Sequence, residues 1–396
     1  DKESLKSVIK NVTLIEENPN EFGEEPNILI STLTNGVYLA MKNKEVENAQ
    51  ALYNKLKILY SKAEKEGSQD VVLKVKSSLI SLELLLIKLT CDFNKFEKIS
   101  PTIYEFISEN KKNLNESRLA FLYYNIAHIL FIQDKFSKAA QVLETLIQSG
   151  TYSLVTDYNT IFEEEGENNI ESVFEVQYTD LEGAGFGCLQ CSEGNVAVGF
   201  SGVRNYEGPN FTSGFSFNVP VQEAYDAFDN DDPRRDIAIL DINAWAASTG
   251  ATFGTGYEHT GYFNHKYIPR AGSTAAQGEL NYEMNYRAIR YSDVLLMAAE
   301  ANNRKASADD AKAQNYLNQV RARAFGNSSQ ASSSTGATLT QEIWDERNFE
   351  LAMEGHRFFD LVRTGEASSK ISGFISGKHE VFPIPQTEID ISGLTQ

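Results

Sequence analysis

Aromatic side chains are interleaved with glycine, threonine and asparagine in two stretches of this chain, a composition suited to binding a ring-shaped ligand. A sugar ring presents C–H groups on its face and hydroxyl groups at its edge, so its binding requires exposed aromatic platforms with polar groups at the rim. Core packing is the alternative for any single aromatic residue, but glycine-rich flanks make it less favoured for Trp245 and Tyr257 than for Trp344 on a helix. The predicted ligand-binding residues are Trp245, Tyr257, Tyr262, Phe253, Asn243, His259, Tyr206 and Asn210.

The charged residues near the C-terminus do not predict a catalytic centre. Residues 355–363 hold acidic, basic and imidazole groups close together, as general acid–base catalysis would require. At helical spacing, however, Arg347, Glu350, Glu354 and Arg357 are i, i+3 and i+4 neighbours, which is typical of structural ion pairs along one helix. The sequence also lacks the H-E-x-x-H and G-x-S-x-G motifs. We therefore predict no catalytic residue and no enzyme.

No metal or cofactor site is predicted from the residue spacing. Residues 229–232 have the oxygen density of a calcium loop but lack the glycine and the closing glutamate of an EF-hand, so a helix stop before proline is favoured. Cys188 and Cys191 have C-x-x-C spacing within a loop-like stretch, and a short loop disulfide is favoured over two free thiols. Cys91 is predicted to be a buried small hydrophobic residue.

Composition changes near Gly150. Residues 1–150 contain 19 basic and 20 acidic residues, whereas residues 151–396 contain 17 basic and 35 acidic residues, which accounts for most of the net charge of −19. Arginine largely replaces lysine after this point, and 22 of the 26 glycines follow it. The net negative charge argues against nucleic acid as a partner, because binding phosphate requires clustered lysine and arginine. We predict two segments, 1–150 and 151–396.

Residues 1–150 have an almost continuous helical pattern with polar breaks. Their apolar spacing indicates helix pairs of the tetratricopeptide type, seen best where Ala127 and Leu130 on one helix precede Ala139 and Leu143 on the next. An irregular helical bundle is the alternative. The predicted helices are 2–17, 27–43, 45–66, 69–90, 93–110, 115–133 and 136–149.

The segment after Gly150 has a different texture. Residues 172–178 alternate in polarity and are rich in β-branched residues, so they predict a strand. Residues 183–278 read as long loops, which in a compact domain are usually functional. Helices are predicted at 283–304, 308–324 and 339–363, and an extended segment at 380–385. The predicted fold class is mainly α: a helix-pair scaffold with a loop-rich region and a few short strands.

A series of short motifs after Gly150 resembles the SusD/RagB family of surface lipoproteins. Each motif is weak alone, but their order over the C-terminal part of the chain makes the resemblance specific. The motifs are Gly150-Thr-Tyr-Ser-Leu-Val, Glu171-Ser-Val-Phe-Glu-Val-Gln, Asp232-Pro-Arg-Arg235, Tyr286-Arg-Ala-Ile-Arg-Tyr-Ser-Asp-Val-Leu-Leu-Met-Ala-Ala-Glu300, Leu317-Asn-Gln-Val-Arg-Ala-Arg323, Glu346-Arg-Asn-Phe-Glu-Leu351, Gly355-His-Arg-Phe-Phe-Asp-Leu361 and Phe382-Pro-Ile-Pro-Gln386.

This resemblance implies a nutrient-binding protein of the outer-membrane surface in Bacteroidetes. It implies capture of an oligosaccharide without a cofactor, handover to a SusC-like TonB-dependent transporter, and attachment to the membrane through a lipid anchor only. The chain opens on Asp1-Lys2-Glu3, so the leader and the lipidated cysteine are expected to lie outside this sequence. Capture of an oligopeptide by the same type of importer is an alternative.

Residues 1–150 depart from the usual N-terminal region of that family. The aromatic- and arginine-rich helix on which family members build part of the ligand site is not recognisable in residues 1–114. A natural fusion, a divergent N-terminus and an artificial joining of two segments are all compatible with this departure. The second functional hypothesis follows from it: a tetratricopeptide-type scaffold that binds a protein or peptide through residues 1–150.

Overall fold

The computed structural model describes residues 2–17, 26–42, 46–181, 194–272 and 280–381. The fold is mainly helical, with two small antiparallel sheets, as the sequence predicts. The loop cysteines Cys188 and Cys191 and most of the extended segment at 380–385 lie outside the described residues. Among the helices that are described, none combines the length and the apolar character that crossing a membrane would require.

Seven helices lie within the described residues of the N-terminal part, and each corresponds to a helix that the sequence predicts. Their apolar faces are buried against sequence neighbours; Ala127, Leu130, Ala139 and Leu143, for example, all lie in the core. Polar caps fix two of the starts, since the Asn115 side chain accepts from the Arg118 N–H at 2.8 Å and Asp92 does the same for α5. The helices are α1 (Lys2–Glu17), α2 (Pro26–Lys42), α3 (Val46–Glu66), α4 (Gln69–Thr90), α5 (Phe93–Asn110), α6 (Glu116–Phe131) and α7 (Phe136–Gln148).

Short elements replace the continuous loops expected between 183 and 278. The predicted strand is confirmed as β1 (Ser172–Val176), after two short 3-10 turns at Tyr158–Phe162 and Glu164–Gly166. Strands β2 and β3 pair in antiparallel register, with Leu240 opposite Phe263. The elements are α8 (Val196–Ser201), α9 (Gln222–Asp226), α10 (Arg235–Ala238), β2 (Ile239–Asp241), α11 (Ile242–Thr249) and β3 (Tyr262–Asn264).

The C-terminal helices match the prediction only in part. The predicted helix 308–324 is confirmed as α13, whereas 283–304 and 339–363 are wrong as single helices. The first begins only at Tyr291, because residues 286–290 are drawn into pairing with β1. The elements are β4 (Tyr286–Arg290), α12 (Tyr291–Arg304), α13 (Asp310–Phe325), α14 (Gly336–Glu350), α15 (Arg357–Thr364) and α16 (Ala367–Lys370).

Left-handed backbone explains the break between α14 and α15. Met353 has φ 66° and Gly355 has φ 82°, conformations that no helix continues through. The turn carries the Glu354 carboxylate into the protein interior, where it is fully buried. Cys91 was also predicted wrongly: it is exposed at the left-handed C-cap of α4, with φ 52°.

The largest hydrophobic core crosses the compositional boundary at Gly150. It joins side chains of α4 to α7 with those of β1, β4 and α12 to α14. Leu143 of α7 and Leu295 of α12, for example, both belong to it and are fully buried. The central helix α12 packs against α7 on one side and against α13 and α14 on others. Residues on both sides of the compositional boundary therefore share one hydrophobic core, and the helix pairs of residues 1–150 pack against the segment that follows.

Candidate functional site

Close backbone packing holds the loops between 194 and 272 together. Gly214 donates from its N–H to the carbonyl of Val203 at 2.8 Å, and a Cβ at Gly214 would lie only 2.4 Å from the Cα of Gly202. Gly254 donates to the carbonyl of Arg204 at 2.8 Å, which fixes a third segment beside them. The glycines therefore allow three backbone stretches to approach each other where side chains would clash.

Trp245 lies at the centre of the first aromatic cluster, and its surroundings differ from the prediction. It is on helix α11, half-buried, with its ring 5.2 Å from that of Phe211. Its indole N–H donates to the hydroxyl of Tyr206 at 2.9 Å, and that hydroxyl donates to the carbonyl of Pro209 at 2.6 Å. Tyr206 is only 5% exposed. In this geometry, Tyr206 and Phe211 position Trp245, whose side chain remains partly exposed. Trp344, expected to be core, is likewise only partly buried.

Tyr257 is the most exposed aromatic residue for which the structure gives an exposed fraction, at 89%. It follows Gly256, where an added Cβ would lie 2.9 Å from the Cβ of Ser216. This close approach brings the Tyr257 loop beside the loop of Phe217, whose side chain is 47% exposed. Both rings can offer a face to a ligand without any rearrangement of the core.

Tyr262 belongs to a separate aromatic pair that the sequence did not reveal. Its ring stacks on that of Tyr225, with 4.6 Å between the ring centroids. The guanidinium of Arg235 lies 4.8 Å from the centroid of the Tyr225 ring. Gln222 donates to the Tyr262 hydroxyl at 3.0 Å, and the Tyr225 hydroxyl donates to Asp236 at 3.1 Å. Burial and the nearby carboxylate of Asp236 raise the pKa of Tyr225. The pair is a small, neutral stacking surface surrounded by polar groups.

The remaining predicted residues lie around these clusters. Phe253 is half-buried, with its ring 5.8 Å from that of His259, and the Nδ1 atom of His259 is buried without a hydrogen-bond partner. Asn243 is exposed on α11, and its side-chain amide approaches Gly261, the residue before Tyr262. Asn210 is exposed in a left-handed turn with φ 71°. The structure thus brings Tyr206, Trp245, Phe253 and His259 to one hydrophobic cluster and its rim, while Tyr257 and Tyr262 lie apart from its centre.

A buried network of ion pairs connects this region to the C-terminal helices. Arg290 donates to Glu171 at 2.6 Å, to Glu354 at 2.7 Å and to Glu350 at 2.9 Å, and all four side chains are buried. The interpretation of Glu350 and Glu354 as structural ion pairs is confirmed, but the local pairing along one helix is wrong. Their partners come from other elements because the turn after α14 directs Glu354 inward.

Two further cations complete the network from the loop side. Arg234 donates to Asp232 at 2.8 Å and contacts Glu346 at 2.5 Å, so the oxygens of Asp232 bind a guanidinium. Lys266 donates to Glu354 at 2.6 Å, and burial lowers the pKa of Lys266 to about 8 although Glu354 opposes that shift. Burial alone would raise the pKa of Glu350, but the surrounding arginines and Lys266 lower it to about 2. Opposite charges therefore hold the candidate site on the helical scaffold.

Across the described ranges, no group of three or more His, Cys, Asp or Glu side chains is placed to hold a metal ion. The carboxyl groups of Glu164 and Glu283 share a hydrogen bond, which with burial raises the pKa of Glu164 to about 7. Both residues are exposed and lie outside the aromatic loops. The loops themselves can stack on a ligand and hydrogen-bond to it.

Comparison with known proteins gives one family match. The sequence model of the SusD family matches residues 163–395. SusD-like protein P2 of Formosa agariphila is 27% identical in an alignment 282 residues long, which covers 66% of this chain and 52% of that protein. SusD-like protein P38 of the same organism is 25% identical in an alignment 349 residues long, which covers 81% of this chain and 64% of that protein. The chain thus spans about half to two thirds of the length of these relatives.

Solved structures extend the likeness beyond the matched segment. A laminarin-binding SusD-like protein superimposes with a TM-score of 0.69 at 29% identity, covering 91% of this chain and 82% of that one. Surface glycan-binding protein A from Bacteroides thetaiotaomicron, in complex with laminarihexaose, gives a TM-score of 0.67 at 28% identity, covering 82% and 77%. Because only 9% of the chain is unmatched in the first comparison, the structural likeness includes much of residues 1–150.

Proposed function

The chain belongs to the SusD family, and from that premise we propose that it is a cell-surface protein that captures an oligosaccharide by stacking and hydrogen bonding, without cleaving it. The observation that supports this most directly is its likeness to glycan-binding structures at 28–29% identity over most of its length. The exposed ring of Tyr257 and the half-buried ring of Trp245 supply the stacking surfaces that such a ligand requires.

The predicted ligand-binding residues divide into two roles in this proposal. Tyr257, Trp245 and the Tyr262–Tyr225 pair present aromatic surface, while Asn243 and Asn210 are exposed amides that can bond sugar hydroxyls. Tyr206 supports Trp245 through a hydrogen bond, and Phe253 and His259 pack on each other at the edge of the same cluster. The groups have no nucleophile–base arrangement, so binding in place of hydrolysis is the function that this surface supports.

Tyr257→Ala is expected to weaken binding of laminarin at least tenfold in an affinity gel. The melting temperature should stay within about 1 °C of that of the unmodified chain, because an 89% exposed ring contributes little to folding.

Trp245→Ala is expected to lower both the affinity for laminarin and the free energy of unfolding, the latter by about 2–4 kcal/mol, because it removes packing on Phe211 and the hydrogen bond to Tyr206.

Phe359→Ala is the matched control for this experiment, since Phe359 is another largely exposed aromatic residue but lies on α15, outside the loops. Phe359→Ala should change neither the binding of laminarin nor the melting temperature. If Tyr257→Ala behaves like the control across a panel of neutral and acidic polysaccharides, the ligand surface is elsewhere. Release of reducing sugar from any bound glycan by the pure protein would contradict a binding-only role.

We further propose that the captured glycan passes to a TonB-dependent transporter of the outer membrane, to which this protein is attached through a lipid anchor. Family membership supports this partner. Expressed with its lipid anchor beside the transporter encoded next to it, the protein is expected to co-purify with that transporter from solubilised outer membranes. Recovery of the protein alone, under conditions in which the transporter remains folded, would argue against a stable pair.

A further inference from the structure

The charge of the loop region restricts the kind of glycan that it can bind. Residues 183–278 contain ten acidic and five basic residues, so the region is negative at neutral pH even before the rest of the chain is considered. The acidic side chains are predominantly on the surface. Those that are exposed are Glu207, Glu223, Asp226, Asp229, Asp231, Asp236 and Glu258.

All five basic side chains of this region already have protein partners. Each is tied to a carboxylate or to a carbonyl oxygen within 3.0 Å, which leaves no lysine or arginine of residues 183–278 unpaired, and all five lie in the described ranges. The pairs are Arg204 with the carbonyl of Phe215, Arg234 with Asp232, Arg235 with Asp236, Lys266 with Glu354 and Arg270 with Glu163.

Burial makes two of these pairs unavailable to any ligand. Arg234 and Lys266 have side chains at 1% and 0% exposure, and turning either cation outward would leave buried carboxylates with one cationic partner fewer. Arg270 is held by two parallel bonds to Glu163, at 2.9 and 2.8 Å, and by the carbonyl of His265. An anionic sugar would therefore meet exposed carboxylates, whereas the cations of residues 183–278 are already bonded within the protein.

Neutral sugars can form hydrogen bonds with the same acidic surface. Their hydroxyl groups donate hydrogen bonds, and ionised carboxylates and amide oxygens accept them. Glu258 follows Tyr257 in the sequence and is also exposed, so its carboxylate can accept hydrogen bonds from a sugar bound at this loop. The surface that repels sulfate and uronate groups is thus well supplied with acceptors for a polyol.

We infer that the aromatic loops select uncharged glycans and discriminate against polysaccharides that carry sulfate or carboxylate groups. This inference rests on the proposed function and specifies the ligand class of the same surface. The discrimination is electrostatic, so it acts over roughly a Debye length of about 8 Å at physiological salt and weakens as salt is added.

Three forms of one glucan test this inference: laminarin, carboxymethylated laminarin, and hydroxyethylated laminarin as a neutral control for the bulk of the substituent. At pH 8 and low salt, the carboxymethyl form should bind at least tenfold more weakly than the hydroxyethyl form, and 0.5 M NaCl should narrow that ratio. Equal affinities for the two derivatives, or a ratio that salt does not change, would overturn the inference.

The double variant Glu207→Lys with Glu258→Lys reverses two of the exposed charges. At low salt it should therefore reduce the difference in affinity between hydroxyethylated and carboxymethylated laminarin. Both positions are exposed, and Lys can occupy them without burial of a charge.

If laminarin is not bound, the comparison moves to a panel of neutral and acidic polysaccharides. Retention of only the acidic ones would overturn the selection for uncharged glycans, whereas retention of none would instead reject the proposed glycan-binding function.

Discussion

Arg290→Met is expected to lower the free energy of unfolding by about 3–5 kcal/mol, a large part of the stability of an ordinary domain. The guanidinium faces Glu171, Glu350 and Glu354, and all these side chains are at most 1% exposed. Removing the cation leaves buried carboxylates with fewer partners, and methionine restores volume but not charge. The loss should appear in urea unfolding, as a lower midpoint at an unchanged slope.

Arg235→Met is the matched control for that substitution. Arg235 also pairs with a carboxylate, but its partner Asp236 is 72% exposed, so the pair is expected to contribute less than about 1 kcal/mol. A loss from Arg290→Met as small as that of the control would mean that water reaches the network when Arg290 is removed. In that case the network would not hold the loops on the scaffold.

Helix periodicity could be predicted well from the sequence because it is a local property. The seven N-terminal helices match the predicted ones within a few residues, since each has an apolar face at helical spacing and polar breaks at its ends. The two errors at 286–290 and 351–356 arise from interactions that are not local. One is a pairing with β1 across more than a hundred residues, and the other is a turn whose Glu354 forms buried ion pairs with Arg290 and Lys266.

Burial within the candidate site could not be predicted from residue types. Tyr206 and Tyr257 both lie among glycines and polar residues, yet one is core and the other is almost fully exposed. The distinction depends on which loops pack together, as where Gly214 meets Gly202. Tyr225 escaped notice for a related reason, since its partner Tyr262 lies far away in the sequence. The motif Asp232-Pro-Arg-Arg235 did contain a signal, because its Arg234 is one of the two cations that join the buried network from the loop side.

Acidification should unfold the protein through the same network, with stability lost as the pH falls from about 6.5 to about 2. Burial would raise the pKa of Glu350, but its cationic neighbours lower it to about 2, and Glu354 and Asp360 are shifted in the same direction. A carboxylate whose pKa is lower in the folded state stabilises that state above its unfolded pKa of about 4.3 and ceases to do so as it is protonated. Glu350 alone accounts for a contribution on the order of 3 kcal/mol.

His128 should produce the upper part of this transition. It lies on α6 and lines, together with residues of α15, a cavity of about 70 Å³, and burial, with Lys88 and the nearby arginines, lowers its pKa to about 3. Between pH 6.5 and 3 the unfolded chain therefore binds a proton at His128 that the folded chain does not bind, so stability decreases as the pH falls. His128→Gln should flatten the pH dependence of the urea midpoint between pH 6.5 and 5, and Arg290→Met should flatten it below pH 5. A profile with the same slope in both variants and in the unmodified chain would show that other groups control acid unfolding.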